Sequence, residues 1–227
     1  MSEAKKKILF TKFLSDHRRA LLEQKIDVTE VKALEPVTLP LTDAPAEKEW
    51  ILVSSPHAIE AVQELIENGW GHDAQWGCVG FRSRDKISQL GLEARIKADN
   101  AKELVGKLPE AGNALYLCGK DRTSTIEDYM GENDWDLSIV ETYWTQATHP
   151  KVDFNAYDAV VFFSPRNVDS VLRHNDWPTD KTALAIGPTT AQSLIDHGIE
   201  PAIVPDSPDV LLLIQHYLEY TENGTSK

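Results

Sequence analysis

Trp50-Ile51-Leu52-Val53-Ser54-Ser55-Pro56-His57-Ala58-Ile59-Glu60-Ala61-Val62 sets an apolar run, a Ser-Pro step and an amphipathic run in immediate succession. The apolar run reads as a strand buried on both faces, too short for a core helix. Serine is a favoured N-cap, and proline suits the first helical position because it has no N–H to leave unpaired. A strand that hands over to a helix in this way is the building unit of parallel α/β proteins. The same succession returns as Ala159-Val160-Val161-Phe162-Phe163-Ser164-Pro165-Arg166-Asn167-Val168-Asp169-Ser170-Val171.

The likeness extends downstream. Val79-Gly80, Ser83, Ile87, Gly91-Leu92, Ile96, Asp99 and Leu104 stand opposite Ile186-Gly187, Thr190, Leu194, Gly198-Ile199, Ile203, Asp206 and Leu211 at one constant offset. Each copy therefore reads strand, Ser-Pro, helix, strand, Gly-x-x-Ser/Thr, helix, Gly, strand. Strand–helix–strand patterns over 8–31 and 114–142 supply further strands for each half. The expected helices include 57–67, 83–90 and 210–220, with a strand at 137–142 and a frayed tail after Glu222. Two similar α/β domains follow, either in tandem or interleaved with the N-terminal segment joining the last unit. The stretches 35–41, with Pro36 and Pro40, and 145–151 read as linkers.

Composition narrows the function. The chain has 227 residues, 41% hydrophobic and 26% charged, with a formal net charge of −13. That field repels nucleic acid and anionic membranes, so neither is an expected partner. No apolar run approaches the ~20 residues of a membrane span. The apolar part of Met1 to Phe10 is too short for a secretory signal, and the expected location is the cytoplasm. Cys78 and Cys118 read as reduced, partly buried thiols, because neither has a metal-ligand neighbour and two cysteines do not make a disulfide framework. The His residues show no metal spacing, and no nucleotide or phosphate fingerprint occurs.

The candidate chemistry sits where strands meet helices. Ser54-Ser55-Pro56 and Ser164-Pro165 are explained as caps, or as N–H-rich helix starts that receive an anion. Gly187-Pro188-Thr189-Thr190 and Gly80-Phe81-Arg82-Ser83 offer a close backbone approach and hydroxyl donors, or again only caps. Lys120 and Arg122, in Cys118-Gly119-Lys120-Asp121-Arg122-Thr123, are either carboxylate ligands or part of a solvated loop. Arg82, Arg84, Lys86 and Arg166 add positive charge at equivalent strand ends. Tyr143 either packs at a hinge or serves as a general acid, since a phenol's ordinary pKa of about 10 keeps it protonated near neutrality. Nucleophile elbows and Cys–His pairs are missing, which points to catalysis by positioning.

Phe162-Phe163-Ser164-Pro165, Ala185-Ile186-Gly187-Pro188-Thr189-Thr190-Ala191, and Tyr143-Trp144-Thr145 leading to His149-Pro150 together resemble the uroporphyrinogen-III synthase family over nearly the whole chain. Cys118-Gly119 after a strand and Val79-Gly80 with Ser83 also match. The resemblance implies two flavodoxin-like domains with parallel sheets, joined by a two-stranded linker, the N-terminal segment packed into the C-terminal domain. The expected boundaries are 1–33 plus 151–227 for one domain and 40–140 for the other, with linkers at 34–39 and 141–150.

The resemblance implies a cyclising hydro-lyase that needs no cofactor. Its substrate would be hydroxymethylbilane, and its product uroporphyrinogen III with ring D inverted, formed through an azafulvene and a spiro intermediate. Tyr143 matches the tyrosine favoured for assisting departure of the hydroxyl. Ser54, Ser55, Ser83, Ser164, Thr189 and Thr190 match positions near substrate. A monomer, in transient contact with the upstream hydroxymethylbilane synthase, is the expected state. Beside this stand a non-catalytic two-lobed ligand-binding protein and an inactive paralogue of the same fold.

Overall fold

The structure is a computed structural model that describes residues 4–39, 41 and 43–224. From the amino end come β1 (Lys7–Phe10), α1 (Asp16–Glu23), β2 (Asp27–Glu30) and β3 (Leu34–Thr38). Next are β4 (Trp50–Val53), the short helices α2 (Pro56–Glu60) and α3 (Gln63–Glu67), and β5 (Gln75–Val79). α4 (Phe81–Gln89), β6 (Ala94–Ala98), α5 (Ala101–Val105), β7 (Ala111–Gly119) and α6 (Thr125–Glu132) follow, and then the long strand β8 (Asp134–Ala147). After a 3-10 turn at Phe154–Ala156 the chain forms β9 (Ala159–Phe162), α7 (Pro165–Leu172), β10 (Thr182–Ala185), α8 (Pro188–Asp196) and α9 (Val210–Gly224).

The result is a mixed α/β protein with parallel sheets. The chain divides into two compact units, Met1–Glu35 with Ala147–Lys227, and Pro36–Gln146. In the first unit β1 pairs in parallel with β2 and β9, and β9 with β10, in the order β2-β1-β9-β10. Ile203 adds one parallel bridge to Leu184 of β10. In the second unit β4 pairs in parallel with β5 and β7, β5 with β6, and β7 with β8. The full order there is β3-β8-β7-β4-β5-β6.

The repeat equates β9 with β4 and β10 with β5, so β2-β1-β9-β10 and β8-β7-β4-β5 are one arrangement built twice. β1 and β2 occupy the places that β7 and β8 hold in the other sheet. The N-terminal segment is thereby built into the sheet that the C-terminal segment completes.

Burial explains why these strands are parallel. All residues of β4 and β9 are buried, so each strand needs cover on both faces. In the first unit Ile8, Phe10 and Val161 face a cluster with Leu213, Ile214 and Tyr217 of α9. Leu9, Val160 and Phe162 face the opposite way, against Val168 and Val171 of α7 and Leu194 of α8. In the second unit Leu52 and Tyr116 pack with Leu104, Ile126 and Met130 of α5 and α6. Ile51, Val53 and Leu117 pack with Ile59, Ile66 and Ile87 of α2, α3 and α4. The period of two along each strand sorts its residues between these layers.

Several sequence expectations shift. The helix expected over 57–67 is two helices, broken at Val62 (φ −116°, ψ 11°), where the chain tightens into a bond from Val62 N to Ile59 O. Residues 34–38, read as linker because of Pro36, form strand β3, and the strand expected at 137–142 extends over the whole of β8. α4 starts at Phe81 rather than Ser83, and α9 runs to Gly224. The strand expected around Ile203 reduces to its single bridge. Met1–Glu3, Pro40, Thr42 and 225–227 lie outside the described residues, and the expectations that touch them with them. Cys78 and Cys118 are free thiols, fully rather than partly buried, and burial pushes Cys118 up to about 12. Among the described residues no helix is long and apolar enough to cross a membrane.

Where the chain enters the first unit, a buried serine ties its segments together. Ser170 Oγ, on α7, donates to Ala33 O at 2.6 Å and accepts from His149 N at 3.1 Å. Thr148 N also donates to Ala33 O at 3.0 Å, and Thr148 Oγ1 to Lys32 O. His149 stands in the left-handed region (φ 49°), and its Nδ1 lies 3.2 Å from Ser170 O. Ser170→Ala removes the only acceptor shown for the His149 amide while Ala33 O keeps Thr148. A loss of about 0.5–1.5 kcal/mol is expected in equilibrium denaturant unfolding, the usual net contribution of one hydrogen bond.

Candidate functional site

Parallel pairing brings the carboxyl ends of the strands to one edge of each sheet, the edge where open α/β sheets take ligands. In the second unit Val53 lies beside Cys78 and Leu117, Leu117 beside Val140, and Gly119 beside Tyr143. The loops that leave this edge carry Ser54, Ser55, Gly80 and Lys120, and Tyr143 stands beside them on β8. Ser54 Oγ shares a 2.8 Å hydrogen bond with the Tyr116 phenol. Burial pushes that phenol up to about 12, although the bond to Ser54 pulls the other way, so Tyr116 stays protonated. Ser55 caps α2, accepting from His57 N at 3.4 Å, with Pro56 at the first helical position.

Tyr143 is the most closely fitted of the candidates. A Cβ placed on Gly119 would lie 2.6 Å from Tyr143 Cζ and 2.8 Å from its hydroxyl oxygen. The phenol therefore lies directly over the bare backbone at the end of β7, where any side chain would collide with it. The ladder shifts register between Cys118 and Gly119, and Lys120 N donates to Tyr143 O at 2.9 Å. On another side the Tyr143 ring meets the His57 ring edge-on, centroids 5.6 Å apart at 62°. His57 Nδ1 is 2.9 Å from Glu60 Oε2. A groove of about 310 Å³ opens here between α2 and α4, lined by Pro56, His57, Glu60, Arg82, Lys86 and others.

The remaining candidates in this unit divide. Ser83 lies inside α4, not at its cap, and its buried Oγ has no hydrogen-bond partner among the described residues. The cap of α4 is Gly80, whose φ of +80° only glycine adopts readily. Arg122 is held by Glu127 (2.5 Å) and Glu141 (2.9 Å) and donates to Gly119 O at 3.3 Å. Its charge braces the loop under Tyr143. Lys120 is exposed, with no ion pair among the described residues.

In the first unit Ser164 caps α7, accepting from Asn167 N at 3.2 Å, with Pro165 first in the helix. Arg166 is exposed on the first turn. Gly187 caps α8 with extended backbone, and a Cβ there would meet nothing within 4 Å. Thr189 is exposed and Thr190 buried. The parallel register sets Ala185 beside Phe162, so both loops leave the same sheet edge.

Charge separates these helix starts from the others. α2, α4, α7 and α8 carry no acidic residue in the first turn, whereas α1, α3, α5 and α6 do. Acidic residues favour helix starts and this chain is rich in them, so their omission from these four leaves the N–H groups and positive dipole ends open to an anion. α9 shares the omission, but Asp209 Oδ1 accepts from its Leu211 and Leu212 amides.

His57, Glu60 and Tyr116 stand beside the candidate residues and are not singled out by reading the sequence, whereas Gly119 is, with Cys118. The repeat held a signal for His57, which follows Ser55-Pro56 as Arg166 follows Ser164-Pro165.

Fold and loops define a parallel α/β protein whose sheets are covered by helices on both faces, with helix starts, hydroxyls and one fitted phenol at the strand ends. The family described as uroporphyrinogen-III synthase HemD matches residues 15–215. The chain belongs to the uroporphyrinogen-III synthase family. Among solved structures, uroporphyrinogen-III synthetase from Helicobacter pylori is similar at 16% identity, TM-score 0.69, over 95% of this chain and 99% of that one. A mutant uroporphyrinogen III synthase from the extremely thermophilic bacterium Thermus thermophilus is similar at 15% identity, TM-score 0.56, over 96% and 99%. At these identities the likeness is one of fold. A comparison with curated proteins gave no match.

Gly119→Ala tests the fit of the phenol. The added methyl is expected to drive the Tyr143 ring off the strand end and cost about 1–3 kcal/mol in denaturant unfolding, as overpacking does. An unchanged midpoint, with the ring unmoved in a crystal structure of the variant, would refute the close approach.

Proposed function

We propose that this chain is a uroporphyrinogen-III synthase, closing hydroxymethylbilane to uroporphyrinogen III with inversion of ring D and without a cofactor. The observation that carries the reading is the Tyr143 phenol, fitted over Gly119 at the strand edge of a family member. In the first step the bond from the terminal hydroxymethyl carbon to its oxygen breaks. The pyrrole nitrogen supplies the electron pair, and as the azafulvene forms its N–H proton replaces the one that the phenol gives up, so that the oxygen leaves with one net proton from the substrate itself. Tyr143 donates a proton to the departing oxygen, which leaves as water.

The substituted carbon of ring D then attacks the azafulvene carbon, giving the spiro intermediate. The bond from that ring carbon to the bridge carbon of ring C breaks, the bridge carbon bonds instead to the unsubstituted α carbon of ring D, and that carbon loses its proton, which leaves the ring inverted. Uncatalysed closure gives the uninverted isomer, so holding the geometry is the enzyme's main contribution. The substrate carboxylates are assigned to the helix starts without acidic residues. Ser55, Ser164, Pro165 and Arg166, Gly187, Thr189 and Thr190 are the contacts there, with Lys120 beside Tyr143. Ser54, Ser83 and Arg122 support those loops from within.

The same reading takes residues 1–33 plus 151–227 and 40–140 as flavodoxin-like domains, linked through 34–39 and 141–150. Support comes from the strand order β2-β1-β9-β10, continued at Ile203, which is the flavodoxin-like order.

The test is a coupled assay that generates hydroxymethylbilane in place and separates the oxidised products by isomer. Type III product in excess is expected, and only type I product from folded protein would overturn the proposal. Tyr143→Phe should lower kcat roughly 10²-fold with folding intact, the scale of a general acid removed. Thr189→Glu sets two effects against each other. A carboxylate in the first turn of α8 favours the helix dipole by about 0.3–1 kcal/mol, so Tm should hold or rise. KM should nevertheless increase several-fold, and an unchanged KM would remove α8 from the substrate site.

A further inference from the structure

We propose that His57 is a positioning residue for the Tyr143 phenol, an assignment that rests on the acid role given to Tyr143 above. The Tyr143 ring packs against the buried cluster around Val53 and Leu117, and two further neighbours bear on the direction of the phenol. Gly119 supplies a surface with no side chain, 2.6 Å from ring carbon to the site a Cβ would occupy, and His57 supplies a ring edge at 5.6 Å between centroids. A flat backbone surface stops the ring from moving inward but does not stop it from pivoting outward. The His57 ring is the contact that blocks the pivot.

His57 is itself held, as a positioning group must be. It stands at the start of α2, where its own backbone N–H donates to the Ser55 cap and Pro56 fixes the preceding turn. Its Nδ1 lies 2.9 Å from Glu60 Oε2, one helical turn away. The other oxygen of Glu60 faces Lys86 Nζ of α4 at 4.0 Å. Ring, carboxylate and ammonium form a chain that runs from the phenol across the wall of the 310 Å³ groove. The groove keeps the remaining side of the imidazole accessible, so the contact stands beside space that a substituent of the substrate can enter. An aromatic ring on a short, capped turn loses little further freedom on packing, which suits it to hold a neighbour rather than to move.

The opposite motif carries Arg166 where this one carries His57, and Arg166 is exposed. The ring therefore stands only on the turn that faces Tyr143.

A double-mutant cycle with the coupled isomer assay tests the proposal. His57→Ala is expected to lower kcat about tenfold and leave KM within about twofold, since misplacing a reacting group costs rate rather than binding. The share of type I product should rise with it. His57→Phe, which restores a ring edge without the bond to Glu60, should recover most of that kcat. In a Tyr143→Phe background His57→Ala should have little further effect, because the group it positions is already gone. An equal fall in both backgrounds, or no rescue by His57→Phe, would overturn the positioning role while leaving the acid role of Tyr143 standing. An unchanged kcat in Tyr143→Phe alone would instead remove the acid role, and the proposal with it. The His57 side chain is 40% exposed, and Tm of each variant verifies that the comparison is between folded proteins.

Discussion

A strand of four residues with every side chain buried leaves its sheet few choices. β4 and β9 have no face for water, so helices must cover both sides, and each helix must carry the chain back to start the next strand in the same direction. Parallel order is the outcome. It brings the ends of β4, β5, β7 and β8 to one edge, and those of β1, β9 and β10 to one edge of the other sheet. Every loop with candidate chemistry leaves from such an edge, and every helix start with an open turn begins there. The position of Ser55, Ser164, Gly187 and Tyr143 is thus a consequence of core burial, not a separate feature laid on the surface.

Features whose energetics are local are legible in the sequence, and those that depend on distant partners are not. Ser55-Pro56 and Ser164-Pro165 are caps whose energetics lie within four residues, and both stand where the sequence reading set them. The start of α4 was misplaced because Ser83 has the chemistry of a cap, whereas the true cap is Gly80, chosen for its positive φ. Neighbouring residues do not reveal that a backbone torsion rather than a hydroxyl ends the loop. β8 was cut short for a similar reason. Its polar residues at 134, 136 and 141 argue against a strand locally, but β7 on one side and β3 on the other supply the ladder. Propensity gives way to partners that only the fold provides.

Arg122 and His57 show the same divide at the level of chemistry. Arg122 reads as a ligand-binding cation in an acidic chain. Its partners come from Glu127 in the next helix and Glu141 on β8, and they turn its charge inward to brace the loop. His57 reads as one more surface histidine until β8 brings Tyr143 against it. In both cases the side chain's chemistry was evident and its direction was not. Direction is set by an element far along the chain, and a single sequence carries no record of that pairing.

The net charge of −13 looks like an obstacle to a polyanionic ligand, but distance and pairing remove most of it. Screening confines an exposed charge to about 8 Å in cell-like salt, so only charges near the strand edges count. There Arg122 is shared between Glu127 and Glu141 and offsets one of their two charges, and Glu60 pairs with His57 and Lys86. The first turns of α2, α4, α7 and α8 add no carboxylate of their own. What such a ligand meets at close range is a set of backbone N–H groups, hydroxyls and a few cations, with Asp85 on the groove and Asp121 beside Lys120 as the nearest carboxylates besides Glu60. The acidic residues elsewhere act as a distant, screened background. A helix start with no carboxylate forgoes the stabilisation that Asp or Glu would give it. All four of the repeated loops forgo it, while α1, α3, α5 and α6 keep theirs; on the function proposed above, that omission leaves the four turns open to the substrate carboxylates.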